Sequence, residues 1–244
     1  MRKSPGSRPS VSRPEIQGAA IDRITSTTNN VKSHFNMIEL YTWSTPNGRK
    51  VSIMLEECDL PYRVHKINIG TNSEQFTPEY LKINPNGKIP SIVDSEGPEG
   101  KPIAMMESGA ILIYLAGKTG KFLPLAARGK YEALQWLMFQ MGGVGPMFGQ
   151  AHHFMRAKKD EIPYGSERYG KEAKRLYGVM DKHLAGRDYF AGEYTIADIA
   201  IYPWVARHEW HRVELAEFPQ VKRWYEAMGA RPAVGRGMAV PQVS

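Results

Sequence analysis

The chain has 244 residues, a formal net charge of +7, 42% hydrophobic residues and one cysteine. This length suits two domains of roughly 100–150 residues each. No apolar run reaches the ~20 residues of a membrane span. The single cysteine excludes an internal disulfide and is typical of a reducing cytoplasm, so we predict a cytoplasmic protein without a membrane partner.

Residues 1–36 are predicted to form a disordered extension, because they contain few large apolar residues and cannot bury enough surface to fold alone. Six of their side chains are basic and two are acidic, so this segment accounts for +4 of the net charge. The basic balance is therefore a weak indication of nucleic-acid binding, and we predict no nucleic-acid partner. An arginine- and serine-rich composition also resembles a transit peptide, but Pro and Gly interrupt any amphipathic helix. A translation start at Met37 is the alternative.

From Met37 onwards, strand and helix patterns alternate. The predicted elements are strand 38–43, helix 47–58, strand 62–67, a short helix at 75–81, strand 89–93, strand 102–106 and helix 108–118. A turn rich in Gly, Pro and Glu at 95–100 joins the last two strands as a hairpin, so the sheet must be mixed rather than purely parallel. We predict an α/β domain over residues 37–121.

After Pro124 the strand patterns stop and long helical patterns follow. They cover residues 131–141, 166–184, 195–207 and 219–228. Thr195 and Asp198 form a capping box, flanked by Tyr194 and Ile199 at the positions of a hydrophobic staple, which predicts a strong helix start with a role in folding. We predict an all-helical second domain over residues 127–244.

The segment Ser44-Thr45-Pro46-Asn47-Gly48 directly follows the first strand and opens the first helix. Thr45 suits the N-cap position, and proline suits the first helical position. A helix N-terminus favours a bound anion such as a thiolate or a phosphate. Cys58 falls late in the same helix and is predicted to be a packed, inert thiol. A reactive thiol would therefore arrive with a cofactor.

Two further helix and strand starts carry polar groups. Pro90 opens the third strand: a cis Ile89–Pro90 bond would free backbone groups for a ligand, whereas a trans proline would be an ordinary strand start. Glu107 and Ser108 open the next helix. They suit either a clamp for the ammonium and carboxylate of a free α-amino acid group or a plain cap with an acid beside it.

The pair His152-His153 lies apart from any Cys, His or Asp cluster at ligand spacing. We therefore predict a structural or substrate-pocket role for these histidines and no metal site.

Taken together, these features resemble the glutathione transferase family across residues 37–238. The motifs that carry the resemblance are TPNG (45–48), NGKIP (86–90), FGQAHHF (148–154), IPY (162–164) and ERY (167–169). They are most similar to the bacterial Nu class of the YfcG type, which is also similar to the fungal prion nitrogen regulator. The resemblance implies an α/β + all-α fold: a thioredoxin-like N-terminal domain with a mixed four-stranded sheet, then a helical C-terminal domain.

The resemblance also implies glutathione, reduced or oxidised, as co-substrate and assigns roles around it. The Ile89 backbone would pair with the cysteinyl backbone beside a cis Pro90. Glu107 and Ser108 would hold the γ-glutamyl end. The remaining binding roles are implied for Gln75 and Lys88, at the glycyl end or its carboxylates, and for Arg168, at the second glutathione when a disulfide is bound.

The residues at the sulfur are implied to be Thr45 and Asn47. Ser44 is an alternative, because Ser44-Thr45-Pro46 also resembles the Ser-x-Pro of theta-type enzymes. We predict Thr45, since the Nu-type motif begins there. The family is dimeric, so a homodimer with sites beside the interface is expected.

The resulting hypothesis is a glutathione-dependent disulfide oxidoreductase or peroxidase with weak conjugating activity. The alternatives are a conventional glutathione S-transferase acting on small electrophiles and a non-catalytic regulatory protein that kept the fold. A full set of site residues argues against the last of these.

Overall fold

The computed structural model describes residues 37–158 and 160–242. The predicted extension 1–36 lies outside the described residues. The first half of the fold consists of β1 (Ile38–Thr42), α1 (Pro46–Cys58), β2 (Tyr62–Lys66), α2 (Pro78–Ile83), β3 (Ser91–Asp94), β4 (Ile103–Met106) and α3 (Ser108–Thr119). The order of strands and helices matches the prediction, although β3 begins after Pro90 rather than at Ile89.

The four strands form one sheet in the order β2-β1-β3-β4. β1 runs parallel to β2, with Leu40 opposite Val64, and antiparallel to β3, with Leu40 also opposite Ile92. β3 and β4 form the predicted antiparallel hairpin. Leu40 and Ile92 are fully buried, so this register places apolar side chains on the face that the helices cover. The mixed four-stranded sheet is confirmed.

Among its described residues, the second half contains helices and loops and one isolated bridge, between Ala191 and Glu193. Its helices are α4 (Ala127–Phe139), α5 (Gly145–Ala151), α6 (Pro163–Leu184), α7 (Ile196–Val205), α8 (Pro219–Gly229) and α9 (Pro232–Met238). α3 ends at Thr119 and α4 begins at Ala127, so the expected domain boundary falls in the connecting loop. The division into domains at 121 and 127 stays a prediction.

The helix predicted over residues 131–141 continues as a helical stretch to residue 157, and the sequence did not indicate residues 142–157 of it. Two π-helical segments, Gln140–Val144 and His152–Ala157, join α4 to α5 and extend α5. Several helix-breaking residues lie here, namely Gly142, Gly143, Gly145 and Pro146. They obscure the helical period, but wider turns accommodate them without ending the helix.

The predicted capping box is present at the start of α7. Thr195 Oγ1 accepts from the Ala197 N–H at 3.3 Å, and Asp198 Oδ2 accepts from the Thr195 N–H at 3.0 Å. Asp198 is buried, and its Oδ1 also accepts from the Trp224 indole N–H at 2.9 Å. Asp198 therefore joins the start of α7 to α8. The capping box is confirmed, and its role in folding stays a prediction.

α1 is the element that both halves share. It packs against α3 in the first half and against α7 and α9 in the second. At the α9 crossing, Ser52 Oγ donates to the Gly237 carbonyl at 2.7 Å, and a Cβ at Gly237 would lie 2.5 Å from the Ile53 Cα. Only glycine permits this approach. The N-terminus of α1 therefore lies at the junction of the two halves.

Among the described residues, no helix combines the length and hydropathy that crossing a membrane requires.

Candidate functional site

Thr45 caps α1 and keeps a free hydrogen-bond donor. Its Oγ1 accepts from the Gly48 N–H at 3.2 Å, so the hydroxyl hydrogen remains available for a ligand. The turn is tight: a Cβ at Gly48 would lie 2.4 Å from both Thr42 Oγ1 and the Trp43 carbonyl. The glycine in the motif is therefore required for the backbone geometry that presents Thr45.

Asn47 is oriented by a residue from the other half of the fold. The Trp204 indole N–H donates to Asn47 Oδ1 at 3.1 Å. Because an indole nitrogen only donates, the accepting atom must be the amide oxygen, and the amide NH₂ is left free to donate. Trp204 was missed from the sequence because every residue of α7 is buried, and no pattern distinguishes one member of such a helix.

A cavity of about 260 Å³ opens beside these two donors. It is lined by Thr45, Pro46, Asn47, Ile69, Gln75, Gly87, Lys88, Ile89 and Trp204. Gln75 is 9% exposed, and its Oε1 is buried with no hydrogen-bond partner. Buried acceptors are rarely left unpaired in folded proteins, so this amide is suited to a ligand that donates. Five of the predicted site residues meet in this cavity.

A second cavity of about 160 Å³ adjoins the first. It is lined by Asn47, Asn84, Asn86, Lys88, Ile89, Pro90, Glu107, Ser108 and Met141. Asn47, Lys88 and Ile89 line both cavities, so the two form one continuous site. The Ile89–Pro90 bond is cis, as the family resemblance implies.

The backbone at Lys88 is held by two side chains that sequence reasoning did not identify. The Lys88 carbonyl accepts from Tyr80 Oη and from Asn84 Nδ2, both at 2.6 Å. Tyr80 and Asn84 also bond to Ser91 Oγ, at 3.0 and 3.1 Å. A connected buried network of this kind fixes the segment that leads into Ile89.

Glu107 has an unusual backbone conformation at the start of α3. Its φ of 66° and ψ of 108° lie outside the regions that side chains other than glycine usually adopt. Its carboxylate makes no hydrogen bond or ion pair with any described residue. Strained backbone of this type concentrates at ligand clamps. Ser108, which follows, is 4% exposed and faces the second cavity.

Lys50 lies behind Ser108 and was also missed. It is 1% exposed, and its ammonium donates to Gln140 Oε1 at 2.6 Å and to Ser108 Oγ at 3.3 Å. Burial lowers the pKa of Lys50 to about 7, against a smaller raising effect of the Glu107 charge. Ser108 Oγ accepts from the lysine and donates to Met141 Sδ at 3.8 Å. Because a thioether sulfur is a weak acceptor, a ligand carboxylate in the cavity can take over this donor. The sequence signal was a lone lysine on the apolar face of α1.

Ser44 and Arg168 do not line either cavity. Ser44 Oγ accepts from Arg49 Nη2 at 3.1 Å, and its carbonyl accepts from Arg207 Nη2, also at 3.1 Å. Arg168 lies on α6 in a separate cavity of about 660 Å³ whose lining includes Met147 and Tyr164. Of the ten predicted site residues, the structure brings eight together.

The site holds no thiol of its own. Cys58 is buried, it contacts Thr119 Oγ1 at 3.5 Å, and burial raises the pKa of its thiol. The prediction of a packed thiol is confirmed.

His152 stacks on Trp204 at 5.6 Å and on His211 at 4.6 Å, which is a packing role. In residues 37–158 and 160–242, neither His152 nor His153 belongs to a group of three potential metal ligands.

Comparisons with known proteins match both halves of this fold. The N-terminal domain model of glutathione S-transferase matches residues 45–118, and its C-terminal domain model matches residues 146–232. The disulfide-bond oxidoreductase YfcG of Escherichia coli is 49% identical over 85% of this chain and 97% of its own length.

Two solved structures are similar to the chain. A glutathione transferase from Pseudomonas putida, with one glutathione disulfide bound per subunit, has a TM-score of 0.82 at 47% identity, covering 85% of this chain and 93% of its own. A family member from Pseudomonas fluorescens, with two glutathione bound, has a TM-score of 0.79 at 50% identity, covering 84% and 93%. With matches to both domain models and these levels of identity, the chain belongs to the glutathione S-transferase family.

Proposed function

We propose that this chain is a glutathione-dependent disulfide-bond oxidoreductase. The observation that carries the proposal is the pair of free donors, the Thr45 hydroxyl and the Asn47 amide, beside a cavity that contains no protein thiol. A site built to stabilise a thiolate without supplying one needs a thiol-bearing co-substrate. The similarity to YfcG, which is named as a disulfide-bond oxidoreductase, supports this reading.

The thiolate is the nucleophile in this mechanism. The pKa of a free thiol is about 8.5, so only a few per cent of it is ionised at neutral pH. Donation from Thr45 and Asn47, together with the N-terminus of α1, lowers the pKa of the bound thiol. Each pKa unit corresponds to about 1.4 kcal/mol of stabilisation of the thiolate over the thiol.

Disulfide exchange then proceeds in two balanced steps. The glutathione thiolate attacks one sulfur of the substrate disulfide, forming a mixed disulfide and expelling one substrate thiolate. A second glutathione thiolate attacks the glutathione sulfur of that mixed disulfide, which releases the second substrate thiolate and leaves glutathione disulfide. The two electrons that reduce the substrate come from the two glutathione molecules.

The rest of the cavity suits the remaining parts of glutathione. The free Glu107 carboxylate matches the γ-glutamyl ammonium, and the Ser108 hydroxyl matches its carboxylate. The Ile89 backbone, beside the cis Pro90, suits the cysteinyl backbone. Gln75 and Lys88 line the same cavity, and we expect them to contact the glycyl end. Arg168 remains a proposed contact for the second glutathione.

We also propose a homodimer with the sites beside the interface. Tyr131 and Met138 lie seven residues apart on α4, on one face, and are 69% and 52% exposed. Tyr164, at the start of α6, is 71% exposed. Large apolar side chains exposed together often mark an interface. Light scattering during size-exclusion chromatography tests this, and a monomer at all concentrations would contradict it.

The test of the thiolate site compares Thr45→Ala with Ser44→Ala. The ultraviolet absorbance of bound glutathione thiolate is titrated against pH in each protein. We expect Thr45→Ala to raise the thiol pKa by about one unit, Ser44→Ala to leave it unchanged and Thr45→Ser to restore it. The reverse pattern would assign the donor to Ser44.

The test of the reaction uses glutathione with hydroxyethyl disulfide, cumene hydroperoxide or chlorodinitrobenzene. Turnover of the first supports disulfide reduction. Turnover mainly of chlorodinitrobenzene would instead indicate a conventional transferase, and no turnover of any would indicate a binding protein.

A further inference from the structure

Three arginines near the thiolate site lack an acidic partner. In the part of the chain that the structure describes, Arg49, Arg156 and Arg207 have no carboxylate within 4.0 Å. Among the other described arginines, Arg63, Arg175, Arg212, Arg223, Arg231 and Arg236 each form such an ion pair, whereas Arg128, Arg168 and Arg187 also have none but lie outside this group. Arg49, Arg156 and Arg207 are referred to here as the arginine cluster.

The cluster draws its members from three separate elements. Arg49 lies in the first turn of α1, Arg156 in the π-helical segment after α5, and Arg207 just after α7. The guanidinium carbons of Arg156 and Arg207 lie 3.5 and 4.0 Å from the centroid of the Trp210 ring. Folding therefore gathers two of these cations over one indole, and Arg49 joins Arg207 at Ser44.

Holding these cations together is unfavourable in the free protein. Burial, together with the charges of Arg49 and Arg156, lowers the pKa of Arg207 to about 10. Arg49 Nε is buried without a hydrogen-bond partner. Burial, reinforced by Arg207 and Arg156, lowers the pKa of His152 to about 4, so this neighbour is neutral and adds no charge. A bound anion would relieve both the repulsion and the missing hydrogen bond.

The cluster lies next to the residues proposed to face the sulfur. Arg49 and Arg207 both donate to Ser44, the residue directly before Thr45. A cavity of about 590 Å³ is lined by Gly149, His152, His153, Arg156 and Ala157. His152, in its wall, stacks on Trp204, and Trp204 orients Asn47. A molecule in this cavity therefore meets Arg156 directly, and one ring pair, His152 on Trp204, separates it from the thiolate site.

We propose that the arginine cluster binds an anionic group of the second substrate, so that the preferred acceptors are acidic disulfides carrying a carboxylate. The planar guanidinium fork matches a carboxylate in two parallel hydrogen bonds. This inference rests on the proposed function, because it specifies the substrate class of the same site.

The kinetic test uses two disulfides of similar size that differ in charge, hydroxyethyl disulfide and 3,3′-dithiodipropionate. The native protein is expected to show the higher kcat/KM for the dicarboxylate, with the preference falling at high ionic strength. Arg156→Gln should lower kcat/KM for the dicarboxylate by about tenfold and leave the neutral disulfide unchanged. Arg207→Gln also removes the bond to the Ser44 carbonyl, so it should lower kcat/KM for both disulfides but more for the dicarboxylate. Arg156→Lys should keep part of the preference, and Arg128→Gln, an exposed arginine outside the cluster, should keep all of it.

Two kinetic results would overturn the proposal. One is an equal fall for both disulfides, which would indicate a structural role. The other is a raised KM for glutathione with the acceptor preference intact, which would assign the cluster to the co-substrate.

A binding measurement separates this inference from the proposed function. Suberate matches dithiodipropionate in length and charge but has no disulfide, so it cannot react. Calorimetry on the glutathione-loaded protein should show suberate binding that Arg156→Gln weakens by about tenfold. That result without disulfide turnover would uphold the anion site and reject the reductase. Turnover of the neutral disulfide, with suberate binding that does not depend on the arginine cluster, would uphold the reductase and reject the anion site.

Discussion

Replacing Lys50 with methionine should stabilise the fold at neutral pH. The pKa of Lys50 falls from 10.5 to about 7 because the ammonium is buried. Each pKa unit corresponds to 1.36 kcal/mol. Well below pH 7, where Lys50 is protonated in the folded protein, its burial therefore lowers the free energy of unfolding by about 5 kcal/mol. At pH 7, where the folded group is half protonated, the penalty is about 4 kcal/mol. Methionine removes that penalty and fills a similar volume.

The substitution also removes a hydrogen bond. Gln140 Oε1 loses the donor that Lys50 supplies at 2.6 Å and stays buried. An unpaired buried acceptor costs about 1–3 kcal/mol. The net result at pH 7 is a gain of about 2 kcal/mol in the free energy of unfolding.

The sign of this effect depends on pH. Between pH 7 and 10.5 the unfolded chain binds more protons at Lys50 than the folded chain does, so this group makes the native protein more stable as pH rises. The advantage of Lys50→Met should therefore shrink and become a deficit of about 1 kcal/mol by pH 10. The same substitution should weaken glutathione binding and raise KM for glutathione, because Ser108 loses the hydrogen bond that Lys50 donates.

Urea denaturation of both proteins from pH 7 to pH 10 measures the difference in unfolding free energy. Using the difference cancels every titration that the two proteins share. Lys130→Met, at an exposed lysine on α4, is the matched control and should show no pH-dependent difference. A Lys50→Met difference that stays constant across this range would refute the reasoning.

Three further outcomes are expected. Trp204→Phe keeps an aromatic ring but removes the N–H that orients Asn47. In steady-state assays kcat should fall about tenfold, with KM for glutathione unchanged. An unchanged kcat would contradict the orienting role. Gly48→Ala should lower the melting temperature strongly, because its Cβ would lie 2.4 Å from two oxygens. Gly117→Ala, with nothing within 4 Å of the added Cβ, should instead raise the free energy of unfolding by about 0.5–1 kcal/mol. Similar shifts of the melting temperature for both variants in calorimetric scans would contradict this. Asp198→Asn turns an NH₂ group towards buried donors, at a cost of about 1–3 kcal/mol. It also removes a carboxylate whose pKa burial raises to about 6, so the loss in unfolding free energy should be larger at pH 4 than at pH 7; urea titrations that give equal losses at both pH values would rule this out.

The elements of the fold could largely be predicted because local signals specify them. Strand alternation, the Gly- and Pro-rich hairpin turn and the Thr195 capping box each act within a few residues. The helix over residues 142–157 could not be predicted in the same way. Its glycines and Pro146 oppose a regular helix locally, and the wider turns form because the stretch packs against α6 and α7.

The residues of the candidate site also fall into two groups, those with a local sequence signal and those without one. Thr45, Pro90 and Ser108 stand at starts of elements, where sequence motifs are visible. Trp204 and Lys50 act across the junction between the two halves, through contacts with Asn47 and Gln140 that are 157 and 90 residues away in sequence. No local pattern encodes such a contact, so only the folded structure reveals it.

The burial of Cys58 bears on how the protein responds to oxidants. In oxidoreductases with a cysteine nucleophile, that cysteine is oxidised between the two half-reactions. Further oxidation converts it irreversibly to a sulfinic or sulfonic acid. With its only cysteine buried and less acidic than usual, this chain has no such oxidised form in the proposed cycle. The oxidation state would reside entirely in small molecules that diffuse away. The rate of the enzyme would then depend on the current ratio of reduced to oxidised glutathione. Earlier exposure to oxidants would not change it, because the protein itself is not oxidised.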